Sequence, residues 1–122
     1  VPNRYLAGVT EVALKKHVSD KTNWREMLKG TAVDENLEDW RQRLSVHIPE
    51  ETKSYFLANQ KPLGIEFPVH QHPEKPQSLN LSKTPVYSGV LKGIKGQYLI
   101  FEDSTVFNVR SNEGLVVGLD VS

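Results

Sequence analysis

An α+β fold is predicted, with N-terminal helices packed on a small C-terminal antiparallel sheet curled like a barrel. Two observations carry it. Apolar residues in the first 60 or so positions recur at helical spacing. From Leu79 to Val121 the chain becomes short apolar runs punctuated by glycine, above all Gly93-Ile-Lys-Gly-Gln-Tyr-Leu-Ile-Phe101 and then Val106-Phe-Asn-Val-Arg-Ser-Asn-Glu-Gly114. The expected organisation is a helical part, 1–60, and a barrel-like part, 61–122, sharing one core.

Taking the helices in order, Tyr5, Leu6, Val9, Val12 and Ala13 place one apolar stripe on a helix from about Arg4 to Val18. Gly8 interrupts it at a cost of about 1 kcal/mol against Ala, which a close neighbour would explain. Asn23-Trp-Arg-Glu26 has the form of a capping box, so a short helix starts there and Gly30 ends it. Trp24 and Leu28 share its face. A third helix takes Asp34 as N-cap and buries Leu37, Trp40 and Leu44. Pro49 opens a fourth that runs to about Asn59, and Pro62 closes the helical part.

In the second part, Leu63–Phe67 fits a strand stopped by Pro68, and His70–Ser78 reads as a polar, unpaired connector carrying Pro73 and Pro76. Strands follow near Val86–Leu91, Gln97–Glu102, Thr105–Arg110 and Leu115–Val121. Glu102-Asp-Ser-Thr105 and Ser111-Asn-Glu-Gly114 are their turns. Gly89, Gly93 and Gly96 are spaced as bend or bulge points. Tyr98-Leu-Ile-Phe101 is apolar on both faces, which predicts a central strand.

Bulk composition excludes several functions. With no cysteine among 122 residues, disulfides, thiolate metal sites and thiol catalysis are ruled out. No apolar run approaches the roughly 20 residues of a membrane span, and no signal peptide opens the chain, so a cytoplasmic location is expected. Fifteen basic residues balance fifteen acidic ones, nine of each in residues 1–60 and six of each in 61–122. Neither half has the basic excess of a typical nucleic-acid binder.

The stretches Arg4-Tyr-Leu-Ala-Gly-Val-Thr-Glu-Val-Ala-Leu14, Ser19-Asp-Lys-Thr-Asn-Trp24 and Leu79-Asn-Leu-Ser-Lys-Thr-Pro85 through Asn108-Val-Arg110 resemble a bacterial family catalogued as a domain of unknown function, number 2797. The likeness spans most of the chain and carries no established activity. It implies that relatives extend further at the N-terminus, with cysteine-containing sequence and a Gly-rich strand segment similar to GIY-YIG nucleases. Val1-Pro-Asn-Arg4 accordingly looks like a cut through a longer protein, of which this is the C-terminal part. By the same likeness the first helix corresponds to one that supplies a metal-binding glutamate, and Glu11 is the matching position. Relatives are expected to carry His and Tyr near Asn112 and Leu115, where this chain departs.

Four groups of residues are candidates for function. Glu11 would hold a divalent metal against a scissile phosphate under the nuclease reading, although with Lys15 one turn on it also fits an ordinary surface pair. His70-Gln-His72 presents two imidazoles but lacks a third ligand at a recognised spacing, so no metal site is expected. His17 and His47 fall near helix ends, where terminal carbonyls attract them. Lys92, Lys95, Tyr98, Asn108 and Arg110, with Tyr87 nearby, put cations and aromatic rings on adjacent strands, as small barrels do when they bind single strands. The leading expectation is a nucleic-acid-associated protein contacting DNA or RNA through that face, without a cofactor and without catalysis by this chain alone. Its rivals are a metal-dependent nuclease completed by an N-terminal segment, and a module that binds a protein partner or a second copy.

Overall fold

The computed structural model describes residues 1–57 and 60–122. They form two compact units, one of residues 1–22 and 33–64, the other of residues 23–32 and 65–122. The architecture is α+β, with helices leading and a four-stranded mixed sheet following.

The first unit holds α1 (Arg4–Leu14), α3 (Leu37–Ser45) and the single-turn α4 (Glu50–Lys53). Asn3 starts α1 by accepting the Leu6 amide on its side chain. The helix is shorter than its stripe suggested, ending four residues before Val18. Leu6, Val9 and Ala13 are half-buried, whereas Tyr5 and Val12 remain exposed. Asn36, not Asp34, caps α3, its Oδ1 accepting the amides of Glu38 and Asp39. Leu37 is exposed as well, leaving Trp40 and Leu44 half-buried. Pro49 takes the N-cap of α4 instead of its first turn, and Asn59, where that helix was expected to end, lies outside the described residues. Thr10 donates to Thr52 and so ties α1 to α4.

The second unit holds α2 (Trp24–Lys29) and a sheet of β1 (Gln77–Ser78), β2 (Leu91–Lys95), β3 (Tyr98–Phe101) and β4 (Thr105–Asn108). Asn23 caps α2 as its capping box predicted, and Gly30 closes it in the left-handed region at φ 70°. Strand order is β1-β4-β3-β2, antiparallel except for the β1–β4 pair. The sheet is open, so the expected barrel does not close. β3 is interior, which accounts for Tyr98-Leu-Ile-Phe101 being apolar on both faces.

Several predicted strands are displaced. β1 lies inside the supposed connector, held parallel to β4 by the Gln77 and Leu79 amides donating to the carbonyls of Ser104 and Val106. β2 begins where the expected Val86–Leu91 strand ends. Neither Leu63–Phe67 nor Leu115–Val121 pairs with another strand among the described residues. Val69 instead bridges to Gly93, so closely that a Cβ on Gly93 would stand 3.0 Å from the Val69 Cα. The register of β2 against β3 shifts between Leu91 and Gly93, leaving Lys92 as a bulge residue.

Leu28, Tyr98, Ile100 and Val106 make the buried apolar core, with Trp24, Met27 and Val69 packed against it. All seven belong to the second unit. Within the first unit, Thr52 is the single buried side chain among the described residues.

Candidate functional site

The strand registers place Lys95 opposite Tyr98 and Tyr98 opposite Asn108. Residues directly opposite in a sheet share a face, so three of the residues chosen from the sequence form one row across β2, β3 and β4. Ile100 and Val106 continue that face, and α2 lies on it.

Tyr98 is buried with its ring stacked on Trp24, centroids 5.8 Å apart and planes 11° from parallel. The Arg25 guanidinium stands 4.3 Å over the Trp24 ring, so a cation and two aromatic rings form a short stack. Lys95 Nζ donates to the Met27 carbonyl at 2.7 Å and lies 5.9 Å from the Phe67 ring centroid. Asn108 accepts the Ser111 amide on Oδ1, and its carbonyl accepts from Ser111 Oγ and Asn112 Nδ2. It thereby anchors the 3₁₀ turn Arg110–Asn112. Outside this row, Lys92 pairs with Glu102 at 3.5 Å and Arg110 is exposed.

Next to Lys95, the Leu28 carbonyl faces His72 Nδ1 at 3.2 Å. A carbonyl only accepts, so Nδ1 is the donor in this contact. Two consecutive carbonyls at the C-terminal end of α2 thus accept from the side chains of Lys95 and His72, the Met27 carbonyl also accepting the Gly30 amide. Glu66, Phe67, Val69, His72 and Lys95 line a cavity of about 270 Å³ beside this cap. The sequence showed His72 as half of a histidine pair; its role as a helix cap needed the fold. His70 contributes its amide to the Lys92 carbonyl.

A second polar cluster closes the β3–β4 turn. Tyr87 donates its hydroxyl to the Asp103 carboxylate, 2.9 and 3.0 Å from its two oxygens, and sets its ring edge-on to Phe101. The Thr105 amide, donating to Asp103, is the main cause holding that carboxyl below its usual value, with the Thr105 and Tyr87 hydroxyls assisting. Burial pushes the Tyr87 phenol up, and the neighbouring Asp103 charge adds to this.

Glu11 is exposed on α1, and its backbone carbonyl accepts the Lys15 amide. The Lys15 ammonium goes to Asp20 at 3.0 Å, not to Glu11 as the helical spacing suggested. Among the described residues no three His, Asp or Glu side chains gather to hold a metal ion. His17 and His47 stack on each other, centroids 3.6 Å apart. A cavity of about 130 Å³ at the start of α3 is lined by Glu35, Asn36, Asp39, Trp40 and Arg43, with Trp40 Nε1 donating to Glu35. No helix among the described residues is long and apolar enough to cross a membrane.

No curated protein and no solved structure matches the chain. A family model described as a protein of unknown function, DUF2797, matches residues 1–117, and the chain belongs to that family.

Proposed function

We propose that this chain is a protein-interaction module, working by docking and not by catalysis. The observation that carries the reading is the helical unit's want of a core: Thr52 alone is buried there among the described residues, while Tyr5, Val12, Leu37, Val46 and Leu57 are exposed. Apolar burial contributes about 25 cal/mol per Å², against a backbone ordering cost of about 1–2 kcal/mol per residue. A helical unit that buries so little gains stability when a protein surface covers it. Balanced charge adds to the case, since phosphate binding draws on basic excess. Lys95 and Tyr98, two of the groups chosen as nucleic-acid contacts, are engaged beneath α2.

Amide hydrogen exchange of the dilute chain tests this, with and without DNA or RNA oligonucleotides at low salt. The expected result is weak protection in α1 and α3, strong protection in β3, and no change on adding nucleic acid. Full protection of α1 and α3 in the dilute chain would refute the reading. So would salt-sensitive nucleic-acid binding that Lys92→Ala with Arg110→Glu abolishes.

A further inference from the structure

We propose that the exposed face of α1 pairs antiparallel with the same face of a second copy of this chain. The inference rests on the interaction-module reading and names the partner.

Gly8 is the first reason. In mid-helix it is about 1 kcal/mol less favourable than Ala, and a Cβ built there meets nothing within 4 Å, so no neighbour among the described residues explains it. Around it runs an unpartnered apolar stripe. Tyr5 is 73% exposed and Val12 69%. Within α1 the spacing 5, 8, 12 steps by three and then four, as in a two-helix seam. Antiparallel pairing sets Tyr5 of one copy against Gly8 of the other, large against small.

The charges choose the partner and the direction. Arg4 and Glu11 are seven residues apart, so they flank the stripe on the same edge. Both are exposed, and neither has an ion pair or side-chain hydrogen bond among the described residues. When two such helices run antiparallel, residues on this edge meet each other, so Arg4 of each copy meets Glu11 of the other. A parallel pair would instead bring Val9 to that edge. The two-fold axis makes both ion pairs at once from one self-complementary surface. The seam is only about 16 Å long at 1.5 Å per residue, so the association is concentration-dependent.

Sedimentation equilibrium of the full chain over a range of concentrations, with charge-swapped variants, tests the pairing. The wild type should rise from 13.8 kDa toward twice that mass. Arg4→Glu and Glu11→Arg should each weaken association on the order of tenfold, by turning two attractive contacts into repulsive ones. An equimolar mixture of the two variants should restore it, as should the double variant, with helical circular dichroism unchanged throughout. Association indifferent to the single swaps would overturn the proposal. A monomer whose α1 and α3 amides exchange freely would overturn self-pairing alone, since a different protein would then be the cover. A monomer with those amides protected would overturn both readings.

Discussion

The ammonium of Lys95 donates to the main-chain carbonyl of Met27 across 2.7 Å, sixty-eight residues away in sequence. This contact joins an edge strand to the C-terminal end of a six-residue helix, which is too short to persist without support. Lys95→Met should therefore lower the unfolding free energy by about 1.5–3 kcal/mol, the range for a hydrogen bond to a charged group. Urea denaturation followed at Trp24 measures it. A change within a few tenths of a kcal/mol would show that the cap is dispensable.

Gly30 sits at φ 70°, and a Cβ there would lie 2.8 Å from the His72 ring. Gly30→Ala should cost about 1–2 kcal/mol from the left-handed conformation alone, and more from the collision. In a His72→Ala background the collision disappears and the conformational cost stays. A double-mutant cycle should give a clear coupling between the two positions; simple additivity would remove His72 from the cap.

Ile100 is fully buried at the centre of the sheet. Ile100→Ala should destabilise by about 2–5 kcal/mol through lost burial and the cavity left behind. Val116, fully exposed, should tolerate Ala within about 0.5 kcal/mol. Thermal melts of the two variants give the comparison.

The Tyr87–Asp103 pair sets two pH limits. Asp103 has its folded value depressed, chiefly by the Thr105 amide, so its contribution is present above the ordinary carboxylate range and lost as pH falls through the folded value. Tyr87 is raised, chiefly by burial, so its contribution is present below 10.0 and lost as pH rises through the folded value. Asp103→Asn should flatten the acid limb of stability against pH, and Tyr87→Phe the alkaline limb. Because the pair is close to the surface, both effects should be modest. Unchanged limbs would place the pH dependence elsewhere.

Local signals were legible where the chemistry is local. Asn23 and Gly30 marked both ends of α2, because a cap is written within four residues of the helix it serves. Tyr98-Leu-Ile-Phe101 announced an interior strand because both faces are apolar. Pairing over long distances was not legible. Gln77 and Ser78 have no strand-like composition and pair with β4 through the backbone. Leu115–Val121 has strand-like composition and no partner strand among the described residues. The row of Lys95, Tyr98 and Asn108 followed from side-chain alternation, but nothing in residues 23–32 says that their helix covers it. The stripe of α1 illustrates the same limit, since periodicity cannot say which half of a wide apolar face finds a neighbour within the chain.

The two tryptophans fall one in each unit, Trp24 with the sheet and Trp40 with the helices, which allows the central claim to be measured directly. Urea titration of dilute Trp40→Phe reports the sheet unit, and that of Trp24→Phe reports the helical unit. If the helical unit depends on a partner for its cover, Trp40 should lose its native signal at clearly lower urea than Trp24. Coincident transitions in the dilute chain would mean that the helices are already as stable as the sheet, and would contradict the account.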